Sequence, residues 1–171
     1  MTAAASDTPA AQAPDRRRQA RLAAVQALYQ VEVGEVSPQS VILEFLRHRL
    51  DEEIDGVRLG RIDRSLFGDL VKNVWAERRN LEDMVAAVLD EDWAVERLER
   101  LLRLILVCGA YELAERPSVP ARAVINEYVE LARAFFDGKE PALVNGVLDR
   151  LGHSLREDEF ATGQAADPRQ P

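Results

Sequence analysis

The chain has 171 residues, 47% hydrophobic and 30% charged, enough length and apolar content for one folded domain with its own core. A net charge of −8 excludes the overall basic footprint of a general nucleic-acid binder. Cys108 is the single cysteine, which excludes an internal disulfide and fits an intracellular setting.

The longest apolar run, residues 104–110, is too short to cross a bilayer. No charged segment followed by an apolar one opens the chain, so the cytoplasm is the expected location, without a membrane partner. The charge is uneven. Arg16, Arg17, Arg18 and Arg21 gather +4 within six positions, which leaves −12 on the remainder. A short basic end on an acidic body suits local contact with phosphates plus a basic protein partner; the plainer reading is charge balance for solubility.

In chain order, residues 1–14 are rich in Ala, Thr and Pro and are expected to be disordered. Asp15 is placed to cap a helix starting at Arg16. Leu22, Val25, Leu28, Tyr29 and Val33 fall on one side of that helix, which ends at Gly34. Arg18 and Arg21 lie on or beside that side. An unpaired guanidinium is not buried in a small core, so the first turns are expected to project past the bundle and present the arginines. A second helix follows Ser37-Pro38, with Val41, Ile42, Phe45 and Leu46 inward, and residues 51–60 read as a loop.

A third helix runs from Ile62 or Asp63 to Arg79 on Leu66, Phe67, Leu70, Val71, Val74 and Trp75. Asn80 is expected to cap a shorter fourth, on Leu81, Met84, Val85, Val88 and Leu89. The fifth spans Val95 to Glu115 and stops at Pro117, and the dipole at its start favours the preceding Asp90-Glu91-Asp92. The sixth carries Val124, Ile125, Tyr128, Leu131, Ala132 and Phe135 and breaks at Asp137-Gly138-Lys139. Pro141 suits the first turn of the last helix, on Leu143, Val144, Val147, Leu148 and Leu151. Beyond Gly152 the chain is polar and expected to fray. With no period-2 pattern and no internal repeat, the fold class is all-α.

Candidate chemistry is sparse. Cys108 sits in an apolar run, and the only histidines, His48 and His153, belong to other elements. This makes a packed structural thiol rather than a nucleophile or a zinc ligand. No phosphate-binding loop or dinucleotide fingerprint is present, so neither an enzyme nor a cofactor is expected. Gly146 inside a helix costs about 1 kcal/mol, offset by close packing or by the approach of a ligand, packing being the commoner reason. Asn126 and Asn145 read as structural amides that satisfy loop or helix-end groups in preference to base readers. Asp90, Glu91, Asp92, Glu96 and Glu99 read as a solvated helix start, or as a dock for a basic partner.

Several blocks recur in a fixed order: Ala110-Tyr111-Glu112-Leu113, Val119-Pro120, Val124-Ile125-Asn126-Glu127, Val129-Glu130-Leu131-Ala132 and Val144-Asn145-Gly146-Val147-Leu148-Asp149. With the arginine-rich RRRQARLAAVQALYQ, they resemble the NusB family of transcription antitermination factors over about residues 16–151. The resemblance implies two packed three-helix bundles, about 15–79 and 80–153, sharing one core as a single domain; composition makes residues 1–14 disordered and 154–171 flexible. It also implies a non-catalytic adaptor that binds boxA-type single-stranded RNA as a heterodimer with NusE, a basic small-subunit ribosomal protein. The pair would help the RNA polymerase antitermination complex resist termination, notably on ribosomal RNA operons.

By the same resemblance Arg17, Arg18 and Arg21 contact RNA, with Arg16 a flank, Lys139 within reach of a phosphate and position 143 beside a base. Asp90, Glu91, Asp92, Glu96 and Glu99 are the implied dock for NusE. Three positions depart from the family pattern. Gln19 interrupts the basic run, Val107 replaces a common basic residue, and Leu143 stands where many members have Phe and cannot stack on a base. Two other readings remain: a stand-alone relative of the NusB-like N-terminal part of ribosomal RNA cytosine methyltransferases, whose catalytic domain the residues after Leu151 are not expected to encode, and a purely protein-binding module. Self-association that covers the arginines is compatible with any of these.

Overall fold

The structure, a computed structural model, describes residues 9–49, 53–54, 57–58 and 62–164, with side chains over 16–47 and 62–161. Helix α1 (Pro9–Gly34) begins ahead of the expected Asp15 cap. Pro9 suits a first-turn position, and Ala10, Ala11 and Ala13 have the highest helix propensity, so helix replaces the disorder expected over 9–14. Residues 1–8 lie outside the described residues.

The buried face of α1 is only in part the expected one: Val25 and Leu28 lie on it, and Tyr29 and Val33 do not. Ala20, Ala23, Ala24, Val25, Ala27, Leu28 and Val31 are buried, whereas Leu22 is half-buried and Tyr29 and Val33 are 41% and 52% exposed. Apolar residues surround this helix, and the small alanines allow close approach, so contact turns towards them. The neighbours of α1 are α2 (Pro38–Glu44) and α3 (Arg64–Asp69). Their starts are capped as the sequence suggests: Ser37 Oγ accepts the Ser40 N–H at 3.2 Å, and Asp63 Oδ1 accepts the Leu66 N–H at 3.0 Å. A π-helical turn, Phe45–Arg49, extends α2 and brings Phe45 against Phe67, ring centroids 5.6 Å apart.

Within the expected loop, β1 (Glu53–Ile54) and β2 (Val57–Arg58) pair antiparallel, Glu53 with Arg58 and Ile54 with Val57. Two rungs leave the class all-α; these are the only strands among the described residues. A π-helical turn, Leu70–Val74, and α4 (Trp75–Val88) follow α3 directly. Asn80 is therefore an exposed mid-helix residue rather than a cap. The stripe Val74, Leu81, Val85 carries the buried face past it, outweighing the few tenths of a kcal/mol that Asn costs in a helix. The chain divides into two compact units at Lys72/Asn73, inside that turn, where the resemblance implied a boundary at 79/80.

The second unit is built around α5 (Arg100–Glu115), which touches α4, α6 (Ala121–Phe135) and α7 (Glu140–Leu155). Residues 104–113 are all buried, as only a helix covered on every side can be. Gly109 makes the closest approach possible, since a Cβ there would lie 2.7 Å from Leu148 Cδ1. Residues 95–97 form a short 3-10 turn instead of the first turn of α5, because Leu98 and Glu99 are extended, with ψ of 141° and 139°.

The expectation of a frayed chain past Gly152 is overturned over residues 152–164. Helix α7 continues to Leu155, and α8 (Glu157–Gln164) follows, with Arg156 and Phe160 buried. The Arg156 guanidinium donates to the carbonyls of Leu113 (2.8 Å), Glu112 (2.9 Å), Arg116 (2.8 Å) and Val119. They lie at the end of α5 and in the following turn, where helical partners run out; Glu112 and Arg116 also accept the N–H groups of Arg116 and Val119, both at 3.1 Å. Glu159 meets the same guanidinium at 3.0 Å and accepts the Ala121 N–H at 2.7 Å, tying α8 to the start of α6. Residues 165–171 lie outside the described residues.

Candidate nucleic-acid interface

In the first unit α1 presents Arg16, Arg17 and Arg18 to solvent. The Arg16 carbonyl accepts the Asp63 N–H at 3.1 Å, so the residue that caps α3 also pins the arginine-bearing turn. Sequence reasoning read Asp63 as a helix start and missed this second task. Arg21 departs from expectation: it is 4% exposed, on the same face as Ala24, Val25 and Leu28. Its stem joins the alanine-rich contact and its guanidinium keeps interactions within the chain. Of the four candidate arginines, Arg21 is therefore the one that is not on the surface.

Lys139 and Leu143 stand in the second unit, at the start of α7. Lys139 is exposed, Leu143 is half-buried, and the Leu143 N–H donates to the Lys139 carbonyl at 3.1 Å. The acidic candidates Asp90, Glu91, Asp92, Glu96 and Glu99 are all exposed, on the turns before α5. Asp90 is already engaged: Arg150 of α7 approaches its Oδ1 at 3.1 Å and donates to the Val88 carbonyl at 2.7 Å. Trp93, 41% exposed between these carboxylates, is a residue the sequence reading passed over. A large exposed ring inside a charged cluster suits a partner contact.

The two asparagines differ from expectation. Asn126 of α6 and Asn145 of α7 are exposed and line the same groove, and neither side-chain amide has a hydrogen-bond partner among the described residues. They are not structural amides. Gly146 is not there for packing either, because a Cβ added to it meets nothing within 4 Å. Helical periodicity identified the elements carrying these residues, but only the assembled helices reveal that their amides are left over.

Cys108 is fully buried, and burial, with Glu112 second, pushes its thiol pKa far above the ordinary value, so no thiolate nucleophile forms. Glu112 itself is fully buried and takes a hydrogen bond from the Tyr128 hydroxyl. Among the described residues no group of three or more His, Cys, Asp or Glu side chains is placed to hold a metal ion. No described helix is long and apolar enough to cross a membrane.

The model of the NusB family matches residues 18–153. The chain belongs to the NusB family. A NusB-named transcription antitermination protein of Sinorhizobium fredii is 45% identical over 156 residues, covering 91% of this chain and 97% of that protein. Its counterpart in Rhizobium meliloti is 43% identical over 159 residues, covering 93% and 99%. A solved structure of T. maritima NusB has a TM-score of 0.70 at 24% identity, over 85% of this chain and 96% of that one, and establishes the shared all-α fold. The relatives are named for antitermination and not for a reaction, in keeping with a non-catalytic family. The NusB match includes Arg18, Arg21, Lys139 and Leu143 and stops before Arg156 and α8.

Proposed function

We propose that this chain is a transcription antitermination factor, a non-catalytic cytoplasmic adaptor that binds boxA-type single-stranded RNA together with NusE and supports RNA polymerase on ribosomal RNA operons. Membership of the NusB family, with relatives named for antitermination over nearly their full length, carries the reading. Exposed Arg16, Arg17 and Arg18 support RNA contact, because guanidinium forks suit phosphate oxygens and stack on bases. Lys139 adds a further cation; Leu143 brings no aromatic ring. Glu91, Asp92, Glu96 and Glu99 around Trp93 support the docking of a basic protein such as NusE, with Asp90 held by Arg150.

The mechanism is additive. An acidic chain brings few cations to a strand, so the partner supplies the rest of the positive surface. Fluorescence anisotropy of a labelled boxA-type RNA, with this chain, with NusE and with both, against a scrambled RNA, tests the proposal. Tighter and sequence-selective binding by the pair is the expected outcome. Equal binding of both RNAs with NusE present rejects it.

A further inference from the structure

The groove between α6 and α7 has a volume of about 640 Å³ and is lined by Asn126, Glu130, Arg133, Asp137, Ala142 and Asn145, among others. A second hollow of about 230 Å³ shares Asn126 and Asn145 and adds Arg122, Asp149 and His153. Ala142, Gly146 and Asp149 share one stripe of α7, spaced by four and three residues, so Gly146 lies between two lining residues. A mid-helix glycine costs about 1 kcal/mol relative to Ala, and no packing inside the chain offsets it. Two unpartnered amides on facing helices and a missing Cβ between lining positions together indicate an occupant that comes close.

Charge distinguishes among occupants. Glu130, Asp137 and Asp149 oppose Arg122 and Arg133, and Arg133 is already held by Glu130. A groove with this balance lacks the positive footprint that a phosphate chain needs. A primary amide, by contrast, matches a peptide group in both directions, accepting from its N–H and donating to its carbonyl. We infer that this groove docks an extended, basic peptide segment of a protein partner, held by its backbone at Asn126 and Asn145 and by its cationic side chains at Asp137 and Asp149. None of these residues belongs to the arginine set or to the acidic cluster at 90–99, so the inference goes beyond the RNA-binding reading and stands apart from it.

The probe is a nine-residue peptide of alternating Lys and Val, titrated into the full chain labelled with ¹⁵N. A Glu-for-Lys counterpart and a nine-nucleotide single-stranded RNA serve as comparisons. Saturable shifts of the Asn126 and Asn145 side-chain amide signals are expected with the Lys peptide and not with the Glu peptide. Asn126→Ala with Asn145→Ala weakens that binding at least tenfold. Gly146→Gln, which fills the open space, does the same from a second direction. Both variants change exposed or unpacked positions, and circular dichroism melting curves verify that they fold. No shift at millimolar Lys peptide, equal shifts with the Glu peptide, shifts from the RNA alone, or binding indifferent to the substitutions would each overturn the inference. Loss of boxA binding in the arginine variants would leave it standing.

Discussion

Arg156 directs one guanidinium at four backbone carbonyls and at Glu159, and it is 8% exposed. Removing it takes a donor from all four carbonyls at the end of α5 and in the turn that leads to α6, although those of Glu112 and Arg116 keep the N–H groups of Arg116 and Val119. Arg156→Ala is expected to lower stability by about 3 kcal/mol, and Arg156→Lys to recover only part of it, since an ammonium cannot reproduce the fork. Urea unfolding midpoints check this; an Ala variant as stable as the parent would refute the latch. The Glu159 carboxyl is held below the ordinary glutamate value of 4.5, first by the Ala121 N–H and then by Arg156. A lowered folded pKa means a contribution that is present above the unfolded value and is lost as pH falls through the folded one. Stability measured downwards from pH 5 should therefore fall less steeply in Glu159→Gln than in the parent.

Two helical glycines make opposite predictions. At Gly109 a Cβ would press on Leu148 at 2.7 and 2.9 Å, and Leu148 is fully buried. Gly109→Ala is expected to cost about 1–3 kcal/mol through overpacking of α5 against α7. At Gly146 the space is open, so Gly146→Ala should stabilise by roughly 0.5–1 kcal/mol through helix propensity alone. Thermal melts of the two variants should move in opposite directions. At this scale the sequence was informative where one residue type has one job. Ser37 and Asp63 cap as read, Pro117 ends a helix, and the spacing of Val124, Tyr128 and Leu131 marks the buried face of α6. It misled at α1, where apolar residues on all sides leave the choice of face to the neighbours, and at Asn80, where a cap residue sits inside a longer helix.

Across the whole molecule the net charge is −8 with three exposed arginines on one helix, and on the proposed RNA-binding reading these arginines would set the salt dependence. For single strands each phosphate contact contributes a slope of about −0.7 in log–log form, so Arg17→Ala with Arg18→Ala should flatten the slope by roughly 1.4. Arg21→Ala should leave the slope alone and lower the melting temperature, because that side chain is buried. Anisotropy over a range of salt concentrations, beside a melting curve, distinguishes the two outcomes.

The all-α class, the order of the helices and the NusB family were legible in the residues themselves, because helical periodicity is local and the Val-Asn-Gly and Tyr-Glu-Leu blocks are contiguous. The burial of Arg21, the free amides of Asn126 and Asn145, the Arg150 hold on Asp90 and the Arg156 latch were not. Each depends on which groups from distant parts of the chain come within a few ångströms, and hydrogen bonding, desolvation and close contact act only at that range. Tertiary structure alone decided those.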